Sequence, residues 1–331
     1  MVSRSALRTA RFLLCTLVFF FSCGSAYSGA FKYRLPSPGD NPKSFETVVG
    51  GIQYHTVSER ETLLDIARNY ELGFNELQLL YPLMDPWIPE AGIRLVIPTM
   101  WILPATKKEG IVINLPELRL YRFFPKIKMV KTYPIGIGDL GWETPEGAYR
   151  VIVHEVNPTW RIPLSLREKY GRSYIPPGPE NPLGEYWIGL SRKGYGIHGT
   201  NFPWGVGRLV SHGCIRLYPE HISRLFTETP VGTPVEIIYE PIKVGFRHGE
   251  IFLEVHPDPY GKIVDLKGHA RTILKNLGLL ESISEEKVNA ALLVRNGVPF
   301  PIGIKREGDA GASITGRVFS EHYRNSSSGT K

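Results

Sequence analysis

Short apolar runs broken by Pro, Gly and Asn dominate the middle of the chain, and this rhythm predicts its architecture. IVINL (111–115) and RLYRFF (119–124) flank a turn at Pro116-Glu117, and KTYPIGIG (131–138), GAYRVIV (147–153) and YWIGL (186–190) follow. Turn signals roughly every ten residues predict a mainly β domain, sandwich or barrel, over 108–241. A helix at 219–226 and a strand at 234–239 close it. Ahead of it, QYHTV (53–57) alternates like a strand. Thr62 with Asp65 signals a helix start, with Leu63, Ile66, Ala67 and Tyr70 on one face. Gly73 ends that helix, Asn75 opens a second through Leu80, and 93–97 makes a closing strand, so 51–99 reads as a small βααβ unit. Beyond 241, a strand at 251–255 and helices at 270–280 and 285–295 predict a small mixed α/β extension over 242–306. Residues 27–50 read as linker and 307–331 as flexible tail. The Pro-rich stretch 157–184 is expected to be an irregular loop, placed as a lid.

The first 26 residues change the picture of where the protein works. Basic residues to Arg11, an apolar run FLLCTLVFFF (12–21) and small residues through Ala26 have the form of a secretory leader, too short for a membrane span. Phe20, Phe21 and Ser22 make a poor lipoprotein signal before Cys23. Net charge is +7, and loss of Arg4, Arg8 and Arg11 leaves 7 − 3 = +4. No Lys/Arg cluster interleaves with aromatics, which argues against nucleic acid as a partner. Cys15 and Cys23 leave with the leader, so Cys214 stands alone without a disulfide partner in an exported chain.

Cys214 lies in IHGTNFPWGVGRLVSHGCIRLYP (197–219), with His198 and His212 nearby. An imidazole can take a thiol proton, and a glycine before a nucleophile lets backbone N–H groups face an oxyanion. Three readings compete on spacing alone: a thiol acyltransferase or hydrolase, a His-x13-His-x-Cys metal site completed by His221 or His154, and an unreactive core. Structural zinc wants four ligands and usually a C-x-x-C hairpin, which this chain lacks. Gly136, Gly138 and Gly141 spell G-x-G-x-x-G, but WETPEG follows instead of a helix, so a tight bend is expected. Ser284 to Lys287 matches S-x-x-K without its companion motifs, and Ser284 reads as a helix cap. Asn325-Ser-Ser is a glycosylation triplet without weight.

Two resemblances decide among these readings. HTV, ETLLDIARNY, DPWIP and RLVIPT (within 54–98) resemble a LysM module, which implies binding to the N-acetylglucosamine-containing glycan of peptidoglycan. VINLPELRLY, YPIGIG, GWETPEG, NPTW, PPGPENPLG and HGTNFPWGVGRLVSHGCIRLYPE, in order over 109–239, resemble the YkuD-type L,D-transpeptidases of the ErfK subfamily. That resemblance implies a periplasmic acyltransferase without a cofactor, acylated by carbapenems. Cys214 would attack the bond before the terminal D-Ala of a stem tetrapeptide, and the thioester would pass to an amine. The acceptor would be a second stem peptide or the lysine of an outer-membrane lipoprotein. The alternatives are an L,D-carboxypeptidase and a noncatalytic wall-binding protein. His198 matches the base, expected to hold the sulfur as a thiolate, with the Gly199 carbonyl setting its tautomer. His212 matches the second histidine. Backbone N–H groups of His212, Gly213 and Cys214 would form the oxyanion hole, and Ser211 is expected to hydrogen-bond locally. Arg216, on the face of Cys214, is a candidate for a substrate carboxylate or carbonyl, or else for a structural ion pair, and Trp204 and Tyr195 are candidates for the donor pocket. No metal site is expected.

Overall fold

The computed structural model of the protein describes residues 29–35 and 45–304. The leader expected at 1–26, with Cys15 and Cys23, and the tail at 307–331 lie outside them. The described chain begins with β1 (Ala30–Lys32), β2 (Val48–Gly50), β3 (Gln53–Thr56), α1 (Leu63–Asn69), α2 (Phe74–Leu80), β4 (Arg94–Ile97) and β5 (Met100–Ile102). β3 pairs with β4 around the two helices, giving the expected strand–helix–helix–strand order. Thr62 caps α1 in a full capping box with Asp65. The second helix starts from Gly73 instead of Asn75, because the Glu76 carboxylate accepts the Gly73 N–H at 2.8 Å. The stretch expected as linker is partly ordered into strands, β2 pairing with β5 and β1 with a strand of the large sheet.

The middle of the chain runs through β6 (Ile111–Asn114), β7 (Arg119–Phe124), β8 (Met129–Pro134), β9 (Ile137–Gly138), β10 (Gly147–Val156), β11 (Trp160–Arg161), α3 (Arg167–Tyr170) and β12 (Tyr174–Ile175). It continues through β13 (Tyr186–Leu190), β14 (Gly196–His198), β15 (Leu209–Ser211), β16 (Ile215–Arg216), α4 (Pro219–Glu228) and β17 (Pro234–Ile238). The class is mainly β, as expected. One curled nine-stranded sheet in the order β1-β8-β7-β6-β17-β10-β13-β14-β16 carries it. Pairs β6/β17 and β14/β16 are parallel and the others antiparallel.

Period-two alternation explains why β6 and β7 are apolar on both faces. Ile111, Ile113 and Leu120 pack with Ile188, Ile197, Ile215 and Leu225 of α4. Val112, Tyr121, Phe123 and Val130 turn the other way, onto Leu63, Ile66, Leu77, Leu95 and Ile97. The βααβ unit therefore shares a core with the sheet. Arg119, fully buried, bridges the two through Glu76 at 2.6 Å and Thr132 at 2.8 Å. Gly207 permits closest approach, since a Cβ there would lie 2.4 Å from the Phe74 nitrogen. Gly138 sits in a tight bend: its N–H donates to Thr144 Oγ1 at 2.9 Å, and a Cβ would meet the Trp142 carbonyl.

β18 (Ile242–Arg247), β19 (Glu250–Val255), α5 (Leu266–Asn276), α6 (Glu285–Val294) and β20 (Phe300–Ile304) form the C-terminal extension, a three-stranded sheet with two helices. Ser284 caps α6, accepting the Lys287 N–H. Buried Lys243 ties the extension to the rest: its ammonium lies 2.8 Å from both Glu117 and Glu254 and 2.6 Å from the Ile102 carbonyl. Burial opposes the charge on Lys243, but the two carboxylates outweigh it and raise its pKa. Lys243→Met leaves those carboxylates buried without their cation, and is expected to cost about 3–5 kcal/mol in urea unfolding. A change below about 1 kcal/mol would mean that the carboxylates are already neutral. No helix among the described residues is long and apolar enough to cross a membrane.

Candidate active site

Three strands set the site. β13 pairs antiparallel with β14, placing Trp187 opposite His198. β14 pairs parallel with β16, Ile197 opposite Ile215 and His198 opposite Arg216. Register partners in a sheet point to the same side, so His198 and Arg216 stand together. Parallel neighbours need a crossover, and here residues 199–214 make it, delivering Cys214 at the entrance to β16.

His198 is 3% exposed, and its Nδ1 lies 2.6 Å from the Gly199 carbonyl. A carbonyl only accepts, so Nδ1 carries the proton in the neutral ring and Nε2 keeps the lone pair of a base. Burial drives the imidazole pKa down to about 3, Arg216 adding to the effect. The Cys214 thiol donates to the Gly194 carbonyl at 3.6 Å. Burial pushes the thiol up to about 11, against the Gly196 N–H and Arg216, which favour the thiolate. Burial thus works against the expected thiolate. Desolvation disfavours both charged forms, favouring a neutral thiol beside a neutral imidazole.

The turn before Cys214 is clamped. Gly213 has φ of 101°, a conformation suited to glycine. Ser211 Oγ accepts the Gly213 N–H at 3.1 Å and donates to the Cys214 carbonyl at 2.6 Å, the local role expected of it. The Gly213 N–H, expected in the oxyanion hole, is therefore already taken. Among the described residues, the N–H groups of His212 and Cys214 have no acceptor and remain for that role. Two further residues brace this region. Thr144 Oγ1 donates to the Gly213 carbonyl at 3.1 Å, and Tyr260 of the extension donates to the Gly138 carbonyl at 2.8 Å.

The Pro-rich stretch is more ordered than expected. β11 and β12 pair, and Ile162, Leu166 and Ile175 form a small core of their own with Trp160 and Tyr170. Buried Asn181 pins its return, donating to the Pro158 carbonyl at 2.7 Å and accepting the Leu183 N–H at 2.9 Å. The charge of Lys169 on α3 lowers the pKa of His212, and Tyr170 raises that of Arg216.

The YkuD family, the L,D-transpeptidase catalytic domain, matches residues 108–237. The probable L,D-transpeptidase YcfS of Escherichia coli (strain K12) is 35% identical over 296 residues, covering 83% of this chain and 92% of its own. ErfK/SrfK of the same strain, another probable L,D-transpeptidase, is 34% identical over 306 residues, 88% of this chain and 96% of its own. The chain belongs to the L,D-transpeptidase family. The solved catalytic domain of the E. faecium L,D-transpeptidase aligns at 24% identity and a TM-score of 0.33, over 40% of this chain and 98% of that one.

In this L,D-transpeptidase the remaining candidates separate. His212 is exposed and packs edge-on against Trp142 with ring centroids 4.9 Å apart. Partial burial, Lys169 and Arg216 lower its pKa, against Asp139. Arg216 has no carboxylate partner among the described residues, and its buried Nε has no acceptor. Tyr195 lines the nucleophile turn, its ring 2.7 Å from where a Gly213 Cβ would sit. Trp204, expected in the donor pocket, meets Trp87 of the βααβ unit with ring centroids 6.2 Å apart. His198, His212 and Cys214 do not converge as metal ligands. The described set that does is Glu117, Glu254 and His256, and the Lys243 ammonium already bridges its two carboxylates.

Proposed function

We propose that this L,D-transpeptidase works on peptidoglycan through a Cys214 thioester. The observation that carries the proposal is the half-buried thiol of Cys214 at the entrance to β16, beside a strand that holds a buried, neutral His198 with its Nε2 lone pair unprotonated. Cys214 gives its proton to His198 as the sulfur attacks the carbonyl of the bond before the terminal D-Ala of a stem tetrapeptide. His198 returns the proton to the departing amine, and D-Ala leaves. An acceptor amine then displaces the sulfur, forming a 3-3 cross-link or attaching a lipoprotein lysine. The N–H groups of His212 and Cys214 stabilise the oxyanion. Membership of the L,D-transpeptidase family supports transfer, and the leader-like residues 1–26 support export to the periplasm. The LysM resemblance of 51–99 supports glycan binding beside the catalytic unit at 108–241.

Tetrapeptide donor with an amine acceptor, analysed by product mass, tests the reading. Peptide dimer is expected. Tripeptide alone would mean an L,D-carboxypeptidase, and no Cys214-dependent product a noncatalytic wall-binding protein. Carbapenem should acylate Cys214.

Two neighbours refine the proposal. The unpaired Arg216 guanidinium is assigned to the donor's carboxylate, so Arg216→Met should raise KM more than it lowers kcat. An unchanged KM would return Arg216 to a structural role. The 157–184 loop is assigned to shielding the thioester from water. Asn181→Ala removes its pin, and the ratio of hydrolysis to transfer should rise severalfold. An unchanged ratio would dismiss the shield.

A further inference from the structure

We infer that Trp187 is the positioning residue for the His198 imidazole: its indole fixes the plane of the ring and keeps water from its face. The inference rests on His198 acting as the base, while the packing behind it is independent of any reaction. Trp187 is the register partner of His198 across β13 and β14. The two rings stack, with centroids 5.6 Å apart and planes inclined by 22°. The indole lies over two positions that lack side chains. At Gly196 a Cβ would come 2.5 Å from its Cζ2 and Cη2, and at Gly189 a Cβ would come 2.8 Å from its Nε1. The ring thus fills the space of two absent residues on one face of the sheet and ends against His198.

A hydrogen bond at Nδ1 fixes one point of the imidazole and leaves it free to rock about that point. A flat partner on its face removes that freedom, and a small misplacement of a base costs rate steeply. The same indole covers Gly196, whose N–H favours the Cys214 thiolate. Facing the imidazole from the neighbouring elements are the Arg216 guanidinium from β16 and the Gly199 and Leu183 carbonyls. Of these neighbours and the indole, it is the indole whose ring stacks on the imidazole. Trp187 has no proton to transfer in the reaction and acts only through His198.

The test is ¹H–¹³C NMR of the histidine rings in the full chain, recorded against pH, beside D-Ala release. In the parent, the His198 ring protons are expected upfield from the indole ring current and without titration between pH 5 and 8. In Trp187→Leu they should move downfield and titrate toward the ordinary histidine value near 6.5. There kcat should drop about 10- to 100-fold with KM little changed. Trp187→Phe should restore most of both. Gly196→Ala, which must displace the indole, should reproduce the leucine variant. A parent His198 that titrates near 6.5 or lacks the upfield displacement overturns the inference. So does a folded Trp187→Leu with unchanged titration and kcat. Should the leucine variant fail to fold, the parent spectrum and the phenylalanine variant decide. If Cys214 proves to have no part in D-Ala release, the proposed reaction falls while the ring titration still reports on Trp187.

Discussion

Cys214→Ala is expected to abolish D-Ala release and every acyl-transfer product, a loss of at least about 10⁴-fold in kcat. The fold should survive it. The thiol's hydrogen bond is a long one to a loop carbonyl, 3.6 Å to Gly194, while the turn is held by Ser211 and Thr144. An unchanged thermal midpoint beside a dead enzyme separates chemistry from structure. Cys214→Ser should also be inactive, because an alcohol is a far weaker nucleophile before a base of such low pKa. Residual turnover above about 1% in the alanine variant would place the nucleophile elsewhere and remove the proposed mechanism.

His198→Ala is expected to lower kcat/KM by about 10²- to 10⁴-fold and to change the shape of its pH dependence. In the parent, the imidazole is depressed to about 3 and the thiol raised to about 11. Below pH 3 the base is protonated and activity falls. Above that, neither group titrates until the thiol ionises, so kcat/KM should be flat between pH 5 and 8. A thiolate–imidazolium pair would instead produce an inflection in or beside that window. Without His198 only ionised thiol can attack, and the rate should climb about tenfold per pH unit toward 11. A bell-shaped parent profile centred near 6.5 would show that the site opens to water when substrate arrives, contrary to its resting electrostatics.

The buried imidazole explains how the two profiles can differ so widely. Removing a charged form from water costs free energy, and here the same burial acts on an acid and a base with opposite results. In the proposed mechanism proton transfer is therefore coupled to sulfur attack, since burial disfavours a resting ion pair. The oxyanion contribution depends on this too. In the proposed mechanism two backbone N–H groups, each worth about 3 kcal/mol elsewhere, would offset the charge that neither side chain carries at rest.

Much of the architecture was legible along the chain, because local signals carry it. Alternation in 111–124 and 147–153, the Thr62–Asp65 box and the Ser284 cap each depend on neighbours within a few residues. The mainly β class and the family followed from them and from the 198–220 motif. Less legible were the long-range consequences. The stretch 27–50 reads as linker by composition, yet edges of sheets recruit such segments wherever an unpaired strand is left. The Pro-rich loop acquired a core of its own because Ile162, Leu166 and Ile175, far apart in sequence, meet only after β11 and β12 pair.

By itself the sequence determined the reactive residue types, the strand rhythm and the family, since each is written in contiguous residues whose spacing has a direct physical meaning. Tertiary structure alone decided the burial of His198, the use of the Gly213 N–H by Ser211, the Trp204–Trp87 contact and the indole over His198. Burial, register and competition for hydrogen bonds are properties of residues brought together across strands. No pattern of neighbours along the chain records which distant group will arrive first.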